Sequence, residues 1–228
     1  MKIISWNCNG KFSTKFPAVL EEDADIYVIQ RCENPSESDS DAYREFASNH
    51  FWTGHNQEYG LGIFAKDDVK LELVDLDDKG FRYFLPVRVN DDFNLLAVLN
   101  NPDVYDKPIN YPKEIIGYYD ENKDSGFFND EMIMCGDFGC DVGLVNEAHV
   151  ENVYEMVETL SKLGLVDVYH DTTGEDYGEE TKSTFFMDGD SFHIDNVFAS
   201  KGRVTDLEIP DPESWMELSD HVPLIFEI

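Results

Sequence analysis

Near the end of the chain, the stretch Ser219-Asp220-His221-Val222-Pro223-Leu224 places a carboxylate beside an imidazole. The apolar residues that follow predict a buried strand over 223–228. Histidine titrates near neutral pH, so an imidazole at a strand end is suited to acid–base chemistry. We therefore interpret His221 as functional, and we interpret the histidines without such a setting as surface or core residues: His50, His55, His149 and His170.

Polar residues also follow other short apolar segments, which predict buried strands at 2–7, 26–30 and 132–135. An α/β layer places its sites at one edge, where strand ends meet. A single Asn or Asp at such a point is usually a turn residue that bonds nearby backbone. The ordered set is more specific, and its members are Asn7, Asn9, Gln30, Glu33, Asp137, Asp195, Asp220 and His221.

The rest of the chain alternates between short strands and a few helices. The clearest helix is predicted over 150–163, because Val150, Val153, Val157 and Leu160 recur at helical spacing before Gly164. Further helices are predicted through 16–22, with Ser13 or Thr14 as the cap, and at 41–48 and 112–122. Further strands are predicted at 51–55, 61–65, 71–76, 81–89, 95–99, 184–186, 192–199 and 204–209. This order favours two packed sheets with helices outside, in a single domain spanning 1–228.

Composition indicates a folded, water-soluble chain. Hydrophobic residues make up 42% of its 228 positions, which is enough for a core, and no apolar stretch approaches the roughly 18 residues of a membrane span. The chain shows no signal-peptide pattern, so we expect a cytoplasmic location. We also expect a monomer. Its four cysteines form no close pair and are expected to be free thiols packed beside strands: Cys8, Cys32, Cys135 and Cys140.

The net charge is the unusual bulk property. Seventeen Lys and Arg against 48 Asp and Glu give −31. Such a surface repels nucleic acid at ordinary salt. The charge indicates a salty cytoplasm that screens it, a substrate that is not a long nucleic acid, or simply a solvated acidic surface.

Five blocks of the sequence resemble, in the same order, the motifs of the endonuclease/exonuclease/phosphatase superfamily, which includes exonuclease III-like and DNase I-like nucleases. The superfamily patterns are W-N-x-N-G, a strand ending in Gln-Glu, G-D-F-N, I-D-Y-I-F-x-S and S-D-H-x-P-L. The matching blocks here are Trp6–Gly10, Asp25–Gln30, Gly136–Phe138, His193–Ser200 and Ser219–Leu224.

This resemblance covers nearly the whole chain and implies a fold and a chemistry. The fold is α/β, a four-layer sandwich of two mixed β-sheets flanked by helices. The chemistry is phosphoester hydrolysis assisted by Mg²⁺ or Mn²⁺, with a nucleic acid or nucleotide among the substrates of such enzymes. Asp220 and Asn9 would lie near the metal.

The resemblance also implies catalytic roles. His221, paired with Asp195, would face the scissile phosphate, and Asp137 would orient the attacking water. Asn7 would help to hold the site, and Tyr111 matches a tyrosine that contacts the phosphate. These groups suit the reaction, which needs charge neutralised on phosphate oxygens, an aimed water and help for the leaving oxygen.

Two positions depart from the superfamily pattern. Arg31 stands where a metal-ligating Glu is expected after Gln30, and Gly139 stands where an Asn is expected two residues after Asp137. Arginine is always cationic and has no acceptor, so it cannot ligate Mg²⁺.

Three interpretations of these departures stay open. Glu33 could replace the missing ligand, because residues two apart on a strand share a face, and Asp141 could assist near Gly139. Alternatively, the protein is an inactive relative that binds phosphorylated ligands through Arg31, or a protein-binding module whose acidic surface mimics nucleic acid. Thirdly, the two substitutions were introduced to inactivate the enzyme.

Overall fold

Two six-stranded sheets form the centre of the computed structural model, which describes residues 1–100, 110–143 and 147–228. The strands are β1 Lys2–Asn7, β2 Ile26–Cys32, β3 His50–Gly54, β4 Gly60–Ala65, β5 Leu71–Leu73, β6 Phe84–Val89, β7 Phe93–Leu99, β8 Ile133–Asp137, β9 Leu165–Asp167, β10 Phe185–Met187, β11 Asp190–Phe192, β12 Asp195–Ser200, β13 Asp206–Glu208 and β14 Leu224–Glu227. The helices are α1 Phe12–Leu20, α2 Asp41–Phe46, α3 Tyr111–Asn122, α4 Glu147–Lys162 and α5 Val168–Thr173.

Both sheets are mixed. The first has the order β13-β14-β1-β2-β4-β3 and the second β5-β6-β7-β8-β12-β9, while β10 and β11 form a separate hairpin. The pairs β1–β2 and β7–β8 are parallel, and the other pairs are antiparallel. As a result, the carboxyl ends of β1, β2, β7 and β8 and the amino end of β12 lie at one edge of the sandwich, which we call the rim.

Side-chain alternation along β7 explains the layering. Leu95, Ala97 and Leu99 belong to the core between the sheets, whereas Leu96 and Val98 belong to a second core beneath α3 and α4. Successive strand residues point to opposite faces, so one apolar strand serves both cores.

Helix α1 covers the outer face of the first sheet. There, Phe12 lies against Phe64 of β4 and Tyr43 of α2. The predicted four-layer α/β sandwich is confirmed.

The helices differ from the sequence predictions mainly at their ends. α4 and α3 lie within three residues of the predicted bounds, but α1 begins at Phe12, ahead of the predicted caps Ser13 and Thr14. The short helix α5 was not predicted. Its N-cap is Asp167, whose side chain accepts hydrogen bonds from the amides of Tyr169 and His170. Among the described residues, no helix combines the length and apolarity needed to cross a membrane.

The predicted strands at 71–76 and 204–209 are shorter in the structure, because β5 and β13 each pair over only three residues. The four cysteines are buried free thiols, as expected.

Candidate active site

Strand register brings four of the predicted site residues to the rim. In the first sheet Asn7 pairs with Gln30, and in the second sheet Asp137 pairs with Asp195. Asn7 and Asp137 are the last residues of β1 and β8, Asp195 is the first residue of β12, and Gln30 lies two residues before the end of β2. All four are buried. The side chains therefore meet where the two sheets face each other.

Asp137 owes its position to the glycine before it. Gly136 has φ +144°, and a Cβ at this position would lie 2.0 Å from the carbonyl oxygen of Val98 on β7. Only glycine allows this close approach of the parallel neighbour. The Gly-Asp pair in the sequence thus fixes where the carboxylate emerges.

A chain of hydrogen bonds connects Asn7, Asp137 and Asp195 with His221. His221 Nδ1 lies 2.8 Å from Asp195 Oδ2, and its Nε2 lies 3.2 Å from Asn7 Nδ2. Asn7 Nδ2 also donates to Asp137 Oδ2 at 2.8 Å, while Asn7 Oδ1 accepts from the amide of Asn9 at 3.1 Å. These bonds orient the Asn7 amide with its N–H groups toward His221, so Nε2 is an acceptor and Nδ1 carries the ring proton.

The backbone around His221 is held from several sides. Ser219 Oγ donates to the carbonyl of Asn7 at 2.7 Å and accepts from the His221 amide at 3.1 Å. Trp6 Nε1 donates to the His221 carbonyl at 3.0 Å, and the ring of Phe185 lies 4.7 Å from the imidazole. The Ser-Asp-His stretch is therefore fastened to β1 beside Asn7.

The electrostatics of the site shift two pKa values upward. Burial alone favours the neutral imidazole, but the surrounding carboxylates, above all Asp195, outweigh it and raise the pKa of His221. Burial, reinforced by the charge of Asp195, raises the pKa of Asp137 to about 6, although His221 and Arg31 act in the opposite direction. At neutral pH Asp137 is mainly a carboxylate.

The same cluster suits a hard cation. Ligand atoms of Asp137, Asp195 and His221 lie within 4.8 Å of one another. Asp137 Oδ1 and Asp195 Oδ1 are buried without a hydrogen-bond partner in the described part of the chain. Buried carboxylate oxygens without donors are costly unless a cation compensates them. These three residues therefore fit a divalent ion.

The two other predicted ligands that match superfamily positions lie at the margin of this cluster. Asn9 is exposed and has a φ of 51°, directly after Cys8. Asp220 is half-buried, and its carboxylate contributes to raising the pKa of His221. Their metal-binding roles stay predictions.

Glu33, the hypothesised replacement ligand, has contacts that give it a structural role, and its metal-binding role stays a prediction. Glu33 Oε2 accepts from the amides of Phe12 at 2.7 Å and Ser13 at 3.4 Å, and Oε1 accepts from Ser13 Oγ at 2.9 Å. Both oxygens thus cap the start of α1, whose own preceding residue, Lys11, offers no side-chain cap. This cap also explains why α1 begins earlier than predicted.

Asp141 likewise has a structural setting. Asp141 Oδ2 accepts from the His193 amide at 2.9 Å, and its Oδ1 accepts from the Gly143 amide. The carboxylate joins the chain after β8 to the segment before β12, two residues ahead of Asp195.

Position 139 shows a compensation that the sequence interpretation missed. Gly139 has φ +56°, and a Cβ there would lie 1.5 Å from Asn100 Nδ2. The side-chain amide of Asn100 therefore occupies the space beside a residue that lacks a side chain. Asn100 directly follows β7 and donates its backbone amide to the Asp137 carbonyl at 2.8 Å. The rule applied to the other strand ends would have found it.

Tyr111 is buried at the start of α3, where its ring stacks on Phe84 at 5.9 Å. The described contacts place the ring in the core under α3. A role in contacting phosphate stays a prediction.

No family model and no curated protein matches this sequence. Solved structures do. A 3′ phosphatase, NExo, from Neisseria, bound to product DNA hairpin, is 20% identical with a TM-score of 0.72, covering 100% of this chain and 99% of that one. An AP endonuclease from Archaeoglobus fulgidus is 17% identical with a TM-score of 0.73 and the same coverage.

The human Nocturnin catalytic domain with bound sulfate is 16% identical with a TM-score of 0.63, covering 99% of this chain and 92% of that one. Identities this low establish the fold alone. The resemblance noted in the sequence is thus confirmed at that level: this chain has the DNase I-like fold of the endonuclease/exonuclease/phosphatase enzymes.

Proposed function

We propose that this protein hydrolyses a phosphoester at the rim, with His221, Asp195, Asn7 and Asp137 as its catalytic group. The observation that carries the proposal is the buried hydrogen-bonded chain from Asp195 through His221 and Asn7 to Asp137. These residues come from four distant segments, and a core needs no such convergence of polar groups.

Each residue has a role that follows from its contacts. Asp137 Oδ1 has no partner among the described residues, so this oxygen is available to accept a proton from the attacking water. Asp195 holds the proton on His221 Nδ1, which directs Nε2 toward the substrate. Nε2 accepts from Asn7 in the free site; because the pKa of His221 is raised, this nitrogen can take up a proton during the reaction and donate it to a phosphate or leaving-group oxygen. Asn7 fixes the distance between the carboxylate and the imidazole.

Metal dependence is part of the proposal. Asp137, Asp195 and His221 would hold a Mg²⁺ or Mn²⁺ ion, with Asp220 and Asn9 as further candidates. When bound, the ion would supply neutralisation of the charge on the phosphate oxygens.

A nucleotide or nucleic acid is the proposed source of the phosphoester. The Neisseria neighbour is bound to product DNA hairpin. In this chain an open pocket of about 360 Å³ lies near the rim. Tyr83, which lines this pocket, accepts a backbone hydrogen bond from Leu99 at the end of β7. Its lining includes Phe81, Arg82 and His55, which offer a stacking ring and cationic or donor groups for a base and a phosphate.

The test is hydrolysis of bis-(p-nitrophenyl) phosphate, p-nitrophenyl phosphate and a single-stranded oligonucleotide, each with Mg²⁺, Mn²⁺ or EDTA. We expect His221→Ala and Asp195→Asn to lower the rate by about 10²- to 10⁴-fold, the usual contribution of a general acid–base group. His50→Ala is the matched control, because His50 bonds the Ala47 carbonyl far from the rim. Equal rates for the control and the two variants would refute the assignment.

A second candidate function is phosphate-ligand or protein binding without turnover. Arg31 at the usual Glu position favours it, as does the charge of −31, which could mimic nucleic acid. Titration calorimetry with Mg²⁺ discriminates between the two. Tight binding by the natural sequence supports the enzyme, and binding that appears only in Arg31→Glu supports the inactive relative.

A further inference from the structure

Arg31 lies in β2, near the rim, at an irregular point of the pairing with β4. The β2–β4 register shifts between Gln30 and Cys32, and Arg31 takes the left-handed φ of 60°. A residue with a side chain seldom adopts this conformation, and such strain concentrates at functional sites. At this bulge Arg31 departs from the regular two-residue alternation of β2. The face to which its side chain points therefore cannot be read from its position in the sequence.

The charge of Arg31 is not neutralised by an ion pair within the described part of the chain. Ten of the seventeen Lys and Arg residues do form such pairs: Lys2, Arg44, Lys66, Lys70, Lys79, Lys113, Lys123, Lys162, Lys201 and Arg203. Two other half-buried cations of the described residues, Lys15 and Arg88, also lack a carboxylate partner, but both donate hydrogen bonds to backbone or amide oxygens. In addition, Arg31 Nε is buried without a hydrogen-bond partner.

Arg31 nevertheless lies beside the catalytic group. It directly follows Gln30, whose register partner on β1 is Asn7. Asp137 Oδ1 also has no described partner. Arg31 Nε thus lacks an acceptor and Asp137 Oδ1 lacks a donor. An anion at the first group and a water at the second would satisfy both.

The group that fits Arg31 is a phosphate. A guanidinium is planar and always charged, and its paired N–H groups match two phosphate oxygens, whereas the carboxylates nearby repel any anion. Without a cation, a dianion would face Asp137, Asp195 and Asp220 unassisted. A fixed cation at position 31 offsets that repulsion without a metal ion.

We propose that Arg31 is a phosphate-binding residue of this site, and that it holds the non-reacting phosphate oxygens in the absence of a divalent ion. This inference rests on the proposed function in one respect, since it takes a phosphoryl group as the ligand that Asn7 and His221 face.

The test measures binding rather than turnover. Inorganic phosphate and thymidine monophosphate are titrated into the protein by calorimetry in EDTA at low salt and neutral pH. We expect measurable binding by the natural sequence, a loss of about tenfold or more in Arg31→Gln, and a smaller loss in Arg31→Lys, which keeps the charge but not the planar fork.

Arg88→Gln is the matched control, because it removes the same unit of charge. Arg88 also makes no ion pair in the described residues and bonds Asn94 and the Asp91 carbonyl instead. Circular dichroism checks that each variant is folded. If Arg31→Gln does not fold, Arg31→Lys still tests the inference.

The outcomes separate this inference from the proposed function. Phosphate binding in EDTA that is absent, or that is weakened equally by Arg31→Gln and Arg88→Gln, would overturn the inference even if the enzyme turns over. Binding that depends on Arg31 in a protein that hydrolyses none of the substrates would support the inference and refute the enzymatic proposal.

Discussion

A buried histidine between two carboxylates provides the most quantitative prediction. His170 Nδ1 lies 3.2 Å from Asp167 Oδ2, and its Nε2 lies 3.1 Å from Glu180 Oε1. The side chains of the three residues are only 9%, 2% and 7% exposed, and the imidazole stacks on Tyr177 at 3.8 Å. With both ring nitrogens facing carboxylates, the ring is held as a cation.

The stabilisation follows from the pKa. Burial alone would lower the pKa of His170, but the hydrogen bonds and charges of Asp167 and Glu180 outweigh it and raise the pKa from 6.5 to about 9. A shift of this size corresponds to about 3 kcal/mol, at about 1.4 kcal/mol per pH unit. Because the folded-state pKa is the higher one, this stabilisation is complete below about pH 6.5 and is lost as the pH rises through about 9.

The assay is urea unfolding of the natural sequence and of His170→Gln at several pH values from about 6 to about 10. We expect the free-energy difference between the two proteins to be largest at the acidic end and to shrink by about 3 kcal/mol toward the alkaline end. Other titrating groups are common to both proteins and cancel in the difference. His50→Gln serves as the control for replacing a histidine that bonds a backbone carbonyl instead of carboxylates.

A difference between natural protein and His170→Gln that stays constant across this pH range would refute the reasoning. It would mean that His170 is neutral in the folded protein and that the two carboxylates do not share a cation.

Three further predictions concern the site and its supports. Glu33→Ala should lower the free energy of unfolding by about 1 kcal/mol in urea, because α1 loses its cap. The metal dependence of hydrolysis should stay unchanged in a metal titration. A changed metal requirement would instead support Glu33 as a ligand. Gly139→Ala should lower the free energy of unfolding by about 1–3 kcal/mol, because the new methyl group would meet the Asn100 amide. Adding Asn100→Gly should recover part of this loss in thermal unfolding. No recovery would contradict the contact. The initial rate of hydrolysis should fall as the pH is lowered through about 6, where Asp137 gains a proton, whereas a flat profile there would exclude its carboxylate from catalysis.

The sequence by itself determined the architecture and the members of the polar group at the rim. Short apolar segments that end in Asn7 and Asp137, or begin at Asp195, encode buried strands with polar ends, because alternation and burial are local properties of the chain. The ordered motifs added the identity of the fold. The sequence did not predict the bounds of the three-residue strands β5 and β13 or the presence of α5, because these elements depend on the segments that pack beside them.

The tertiary structure alone decided how the polar side chains are used. Glu33 is two residues beyond Arg31 and matched a ligand position by period, yet the start of α1 takes both of its oxygens. Asn100 fills the space beside Gly139, and His170 bridges carboxylates that lie 3 and 10 residues away. A hydrogen-bond partner is chosen by which segments pack together in space, and the spacing of residues along one segment carries no record of that choice.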